Sequence, residues 1–388
     1  MTGSDAAAPV PLDEPMLEEE PLPSSAAEEK ISVAAQWQLM WWRFRKHRLA
    51  LVATGVIALF YLAVAGADFL AYADPESSDA NRALLSPQPI HLFDGGRFSP
   101  FVYGMKGERD MKTFRKVYTV DTSVKIPVQL FARGFRYSFL GRRLDRHLLG
   151  VSEGSAESAL FLLGTDMVGR DLFSRLLYGT RMSLTIGLAA VALSLFLGIL
   201  FGGLSGYFGG WVDLAIQRLI EILRSIPTIP LWMGLAAAMP RDWDITKVYF
   251  TITIIISLIG WTTLARVVRG RFLGLREEDY VMAARFSGCS QSRIIFRHMV
   301  PAFLSHIIAS VTLALPGMII SETALSFLGL GLRPPAISWG VLLQDAQNVQ
   351  TVALSPWLMM PAIPVIIAIL AFNFMGDGLR DAADPYGA

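Results

Sequence analysis

Apolar residues in this chain are collected into blocks separated by polar stretches. Residues 49–67, 182–212, 248–265, 299–321 and 351–376 each lack Asp, Glu, Lys and Arg. An α-helix rises about 1.5 Å per residue, so roughly 20 apolar residues cross a hydrocarbon core about 30 Å thick. A sixth block, 225–240, is short by itself. It spans only if its helix begins earlier, in the amphipathic run 212–223, where Leu214, Ile216, Leu219, Ile220, Ile222 and Leu223 supply the apolar positions. The pattern predicts an all-α polytopic membrane protein of six transmembrane helices, with span one at 49–72 and the other five within 182–376.

The polar stretches differ in character. Residues 1–30 are rich in Pro, Ala, Ser and acid, with too little apolar surface to offset chain entropy, which predicts a disordered cytoplasmic tail. Within 31–48, Trp37, Met40, Trp41 and Phe44 recur at helical spacing among Arg43, Arg45, Lys46 and Arg48. That is the pattern of an interfacial helix or, alternatively, of the first turns of span one. Span one begins too late for an ordinary signal peptide and is expected to remain as an anchor.

Cations directly before span one place the N-terminus inside, because Lys and Arg near span ends stay in the cytoplasm. Six spans then return the C-terminal tail, 377–388, to the cytoplasm and put the loop 266–301 there. Residues 73–181 become an external, periplasmic insert. Its cations, Arg142, Arg143 and Arg146 among them, do not oppose this, since long loops translocate largely regardless of charge. Short apolar or aromatic runs at 117–120, 126–132 and 135–139 predict a few strands there, a flexible insert being the alternative.

Composition narrows the chemistry. The 388 residues are 53% hydrophobic and 17% charged, with a net charge of +1. That apolar composition makes membrane lipid an expected partner, while the basic residues are divided among loops instead of gathered on one domain and nothing resembles a nucleic-acid reader. Lone Cys289 leaves no internal disulfide and no multi-cysteine metal site. No catalytic or metal-binding residue is assigned. The chain has no GxxxxGK[ST] phosphate loop, so any ATP must bind another subunit.

The loop 266–301 carries the most information. Ala283 and Ala284 give a helix a smooth face, Gly288 lets the backbone turn, and Pro301 stops a second short helix before span five. Such a helix-turn-helix is a docking knob or, alternatively, a hairpin packed on its own spans. Within the spans, Gly198, Gly202 and Gly206 form a small-xxx-small ladder that admits another helix closely, from this chain or a second one. Glu322 lies about 30 Å along a helix from 302. With Ser326 it is a candidate for an external gate; the alternative is an interface residue bonded to neighbouring backbone.

The run Val281-Met282-Ala283-Ala284-Arg285-Phe286-Ser287-Gly288, with Val300-Pro301 beyond it, resembles the EAA loop of ATP-binding-cassette importer permeases. Other segments follow in order: Leu163-Gly164-Thr165-Asp166-Met167-Val168-Gly169-Arg170-Asp171, Ser225-Ile226-Pro227, Glu322-Thr323-Ala324-Leu325-Ser326-Phe327-Leu328-Gly329, Ser338-Trp339-Gly340 and Gly378-Leu379-Arg380-Asp381. Together they are similar to the C-type permease of the dipeptide, oligopeptide and nickel importers over residues 163–385.

The resemblance implies the type I importer permease fold and a bacterial inner-membrane location. It implies a homologous second permease, two ATPase subunits that bind ATP and Mg, and an external solute-binding protein. No cofactor is expected in this chain. The ATPase-docking residues would be Glu277, Glu278, Asp279, Ala283, Ala284, Arg285, Gly288, Arg293, Arg297 and Pro301. Met282 stands at the motif's usual Glu, so docking is expected to rest on shape more than on an ion pair. Peptides are the first expected substrate, with sugars, opines and nickel complexes as alternatives.

Two rival classes remain. Gly203-Leu204-Ser205-Gly206 matches the GxSG pattern of rhomboid-type intramembrane proteases, with His306 as base, which requires the pair within hydrogen-bond reach. An ion-coupled secondary transporter would need titratable groups in its spans, and Glu322 and His306 are the candidates. Neither class accounts for the ordered segments.

Overall fold

The apolar blocks fold largely as helices, one running through Gly198, Gly202 and Gly206 and another through Pro316. The computed structural model describes residues 36–109, 111, 116–139, 141–151, 160–240 and 242–383; the tail expected at 1–30 and the chain end at 384–388 lie outside these residues. Helices α1 (Gln36–Phe44) and α2 (Arg48–Ala65) open the chain. After a largely extended segment come α3 (Leu172–Phe208), α4 (Gly210–Ser225), α5 (Thr228–Ala237) and α6 (Ile245–Leu275). Then follow α7 (Asp279–Phe286), α8 (Leu304–Phe327), α9 (Trp339–Gln344) and α10 (Ala362–Ala383). Among the described residues, five helices are long and apolar enough to cross a membrane, or up to six if α4 and α5 count as one bent span.

Three boundaries depart from the pattern. The helix expected from 182 starts at Leu172, and its 37 residues extend about 55 Å. Polar Ser174, Arg175 and Arg181 sit inside it, where Ser174 accepts from the Ala73 amide, Arg175 donates to the Pro75 carbonyl and Arg181 pairs with Asp68. The straight span expected from 212 to 240 is broken: α4 and α5 meet at 84°. Pro227 lacks an N–H and disfavours helix at the preceding residue, and Ile226 is extended accordingly, with φ −86° and ψ 129°. The last long helix starts at Ala362, after Pro356 and Pro361, instead of at 351, and it runs on through Asp377 and Arg380.

Helices α3 and α6 form the spine. A Cβ on Gly198 would lie 2.9 Å from Leu264, one on Gly202 2.4 Å from the Ala265 carbonyl, and one on Gly206 2.5 Å from Phe272. The ladder is therefore occupied by a helix of this same chain, held at a distance that side chains would forbid. Beyond it, α8 and α10 pack together and α2 lies on α10, with Phe60 of α2 edge-on to Trp339. Only 17% of the α2 apolar window is buried, so most of its surface is left for lipid. The short α1 is folded back, Met40 and Phe44 packing with Ala382 and Ala383.

Between α2 and α3 the chain forms an antiparallel sheet in the order β1-β2-β3-β6 and a separate β4–β5 hairpin. The strands are β1 (His91–Asp94), β2 (Arg97–Arg109), β3 (Lys116–Leu130), β4 (Arg133–Phe139), β5 (Arg142–Arg146) and β6 (Leu149–Val151). The apolar runs at 117–120 and 135–139 fall in β3 and β4. The run at 126–132 ends in β3 at Leu130. Strands β1 and β2 have no counterpart in the sequence reading, because Pro100, Gly104 and Gly107 look like breakers. Gly104 instead marks a register shift, and Gly107 leaves room for Tyr118 of β3.

The residues 163–171 clamp this segment to the head of α3. Asp166 receives hydrogen bonds from the Val168 and Arg170 amides and from Arg170 Nε at 2.6 Å. It also lies 3.5 Å from Arg175 Nε, whose guanidinium is buried and donates to the Pro75 carbonyl. Gly169 has φ +81°, and a Cβ there would be 1.9 Å from the Asp79 carbonyl oxygen. Asp171 caps α3 by accepting from the Ser174 amide at 2.7 Å and from Tyr72 Oη at 2.8 Å. A second tie joins Asp68 to Arg181 at 2.8 Å and Tyr178 at 2.5 Å. Burial opposes ionisation of Asp68, but these two donors outweigh it and hold the carboxyl below its usual range.

Two outcomes follow. Gly202→Val drives a branched side chain into the α6 backbone and should lower the thermal midpoint of the purified protein, overpacking of this kind costing about 1–3 kcal/mol; an unchanged midpoint would contradict the spine contact. Burial pushes the Asp171 carboxyl up to about 6. The folded state then binds more protons than the unfolded one between about pH 4 and 6, so this group's contribution to stability falls as pH rises through that window and is flat above it. Asp171→Asn keeps the cap but removes the titration. The midpoint difference, variant minus parent, should rise from pH 4 to pH 6 and then level off.

Candidate functional site

The loop expected over 266–301 is shorter: residues 266–275 continue α6, and from Arg276 onward the chain folds as two short helical pieces with a glycine between them. Helix α7 ends in a Schellman motif: Gly288, at φ +72°, donates to the Arg285 carbonyl, and the Cys289 amide reaches the Ala284 carbonyl at 3.1 Å. A Cβ on Gly288 would meet nothing within 4 Å, so backbone conformation alone requires the glycine. The second piece runs from Gln291–Arg293 into a π-helical turn, Ile294–Met299, then Val300–Ala302. Pro301 does not end it, as the sequence suggested. The Pro lacks the N–H of an α-helical ladder, and the Val300 amide bonds to the Ile295 carbonyl instead; the break falls at Phe303, with φ −124°.

Each piece has an inner and an outer side. Val281, Ile294 and Met299 are buried against Val268 and Phe272 of α6 and Tyr207 of α3. Ala284 is half-buried on the same side, and the Arg285 guanidinium lies 4.9 Å over the Tyr207 ring. The outer side presents Met282, Ala283 and Phe286, the last 85% exposed, with Phe296, Arg293 and Arg297 nearby in sequence on the second piece. Glu277, Glu278 and Asp279 are exposed at the start of α7, and Glu277 is paired with Arg276 at 2.8 Å. The smooth face expected of Ala283 and Ala284 is thus split, and Phe286 takes the place of Ala284 on the open side. Sequence reasoning missed Phe286; the signal is its spacing of four from Met282, on the helix side away from Val281.

The expected gate residue Glu322 is enclosed. It is 0% exposed, accepting from Ser183 Oγ of α3 at 2.8 Å and from Ser326 Oγ at 2.9 Å. Each of those hydroxyl oxygens in turn accepts a backbone amide, Trp339 on Ser183 and Leu332 on Ser326, both at 3.1 Å. The chain after α8 folds close over the acid: a Cβ on Gly340 would lie 2.5 Å from the Thr323 carbonyl oxygen. In this structure Glu322 joins α3, α8 and α9 and faces protein. Burying a carboxylate is tolerated only with such partners.

The protease pair does not assemble. Ser205 donates to Asp213 Oδ1 at 2.5 Å and accepts from Gln217 Nε2, while His306 lies 2.9 Å from Arg271 Nη2. Asp213 is bound in bidentate fashion by Arg269 at 2.5 Å, tying α4 to α6. Ser205 therefore serves the joint between α3, α4 and α6. Among the described residues no group of His, Cys, Asp and Glu could hold a metal ion.

Comparison with known proteins finds relatives among transport permeases. The oligopeptide transport system permease protein OppC of Bacillus subtilis (strain 168) is 40% identical over 223 residues, covering 57% of this chain and 70% of that protein. OppC of Haemophilus influenzae (strain ATCC 51907 / DSM 11121 / KW20 / Rd) is 41% identical over 223 residues, covering 57% and 69%. The dipeptide transport system permease protein DppC of Alkalihalophilus pseudofirmus (strain ATCC BAA-2126 / JCM 17055 / OF4) is 38% identical over 229 residues, covering 59% and 73%. Among solved structures, the inward-facing MetNI methionine ABC transporter aligns with 54% of this chain and 97% of its own at TM-score 0.41 and 17% identity, too distant to bear on the fold. The N-terminal TM domain of oligopeptide transport permease C matches residues 35–87, and the binding-protein-dependent transport system inner membrane component matches residues 176–386. The chain belongs to this inner-membrane component family and is the permease component of an ABC importer.

Proposed function

We propose that this permease carries oligopeptides or dipeptides across a bacterial inner membrane, in complex with a second homologous permease, two ATPase subunits that hold ATP and Mg, and an external solute-binding protein. The names of the relatives support the substrate class. In this reading the chain crosses six times, α4 and α5 making one broken span, with both termini cytoplasmic and the sheet-bearing segment outside. The ATPase docks on the outer side of α7.

The observation that carries this reading is the two-sided build of the 266–301 loop. One side is locked to α3 and α6 through Val281, Met299 and Arg285, while Met282, Ala283 and Phe286 are left open to a partner. A movement of the partner is then passed to the spans as a rigid-body shift, and ATP drives the switch through its differential binding to one of the two states. Glu322 and Ser326 hold the far end of α8 against α3 and α9, so the opening of an external gate would require this hydroxyl-carboxylate cluster to part or to move as one body.

Two substitutions test the docking side. Phe286→Asp touches nothing that holds the chain together, so its unfolding midpoint should stay within about 0.5 kcal/mol of the parent. Copurification with the ATPase should fall by roughly 30-fold or more, the scale of an interface anchor; undiminished copurification would reject α7 as the contact. Gly288→Val forces a branched residue into φ +72° at about 1–2 kcal/mol, re-aiming the end of α7. Assembled complexes bearing it should hydrolyse ATP with little uptake of a tripeptide, and normal uptake per ATP would refute the coupling role.

A further inference from the structure

We propose that the β4–β5 hairpin lies on the membrane surface next to the end of α2 and binds the phosphates of anionic phospholipid headgroups. The first ground is position. Span α2 ends at Ala65, and the base of the hairpin is fixed to the residues just beyond it: the Leu148 amide donates to the Phe69 carbonyl at 2.8 Å. The buried His147 ring sits between the Asp68 carbonyl, 3.0 Å from Nδ1, and the Phe135 carbonyl of β4, 2.9 Å from Nε2. Asp68 is itself tied to Arg181 of α3. The hairpin is thereby set at the height where a transmembrane helix emerges into the headgroup layer, for whichever leaflet α2 ends in.

The second ground is chemistry. Arg133, Arg136, Arg142, Arg143 and Arg146 are all exposed, against the single acid Asp145, and among the described residues no ion pair is formed by any of the five. An unpaired set of guanidiniums suits phosphate, which accepts two hydrogen bonds from each. Register sets basic and apolar side chains together: Tyr137 opposite Leu144 and Phe139 opposite Arg142 share one face, and Ser138 opposite Arg143 lies on the other. Phe139 and Leu144 are exposed on the first face. Arginine beside exposed aromatic and aliphatic side chains is the composition of a surface that sits at the boundary of headgroup and acyl chain.

The third ground is backbone strain. Phe131, at the entry to β4, has φ +56°, a region bulky residues avoid, and it is 55% exposed while its ring rests on Phe69, four residues beyond the end of α2. A strained turn that holds an aromatic ring out beside the end of a span is accounted for if the ring enters the interface, where aromatic residues are favoured.

The test uses the full-length protein with its partner subunits in vesicles of equimolar phosphatidylglycerol and phosphatidylcholine, with a photo-crosslinking phenylalanine at position 139 or 144. Lipid adducts identified by mass should be enriched in phosphatidylglycerol. Cations near an anionic surface each add to its attraction, so combining R142Q, R143Q and R146Q should reduce that enrichment at least ~10-fold. The same triple variant should keep its unfolding midpoint, since the three side chains are exposed; a loss of enrichment with the midpoint preserved separates binding from folding. Adducts without preference for phosphatidylglycerol, no lipid adduct at all, or adducts confined to an added solute-binding protein would each overturn the proposal.

Discussion

Everything in this chain hangs on the absence of side chains along one face of α3. Because Gly198, Gly202 and Gly206 present bare backbone, α6 approaches until its Ala265 carbonyl and Phe272 would collide with any added carbon. In lipid, burying apolar surface yields little net gain, so close packing over a long contact is what holds two helices together. The ladder fixes α6, α6 fixes Phe272 and Val268, and these form the inner wall on which the 279–303 loop rests. At the other end of α3, Ser183 reaches Glu322 and sets α8 and α9 in place. The joint of Ser205, Asp213 and Arg269 orients α4 from the same helix pair.

Much of this was legible in the sequence, and the failures have physical reasons. Glycine spacing of four announces close approach whatever the partner, but only the fold says that α6 supplies it. The start of α3 was hidden because Arg175 and Arg181 look like loop residues until Asp166 and Asp68 are brought to them from elsewhere in the chain. The bend before α5 was written in Ser225-Ile226-Pro227, yet reading the flanking apolar runs as one continuous helix overrode what Pro227 says about its neighbour. Strands β1 and β2 were obscured by Pro100 and Gly104, residues whose usual meaning is a turn.

At the candidate site the division is similar. Gly288 was readable as a helix terminator because a Schellman end leaves a local signature. The rotation of α7 was not, since it depends on Val281 entering a cluster that Tyr207 of α3 and Met299 help to build, and this rotation decides that Phe286 faces out and Ala284 in. The acid at 322 and its neighbour Ser326 could be read from α8 alone, but Ser183 comes from α3 and the Trp339 amide that bonds it from α9, and neither could be inferred from α8.

The length of α3 has a mechanical meaning. It reaches about 55 Å without a break, from its Asp171 cap to Tyr207, against which Arg285 of the loop rests. One end is gripped by the 163–171 clamp and the other by the loop, so the helix is a lever arm with a load at each tip. A tilt of about 5° around its middle would carry each tip some 2–3 Å in opposite directions. A push on the loop would therefore be felt at the β-sheet segment by solid geometry alone, through a single piece of secondary structure.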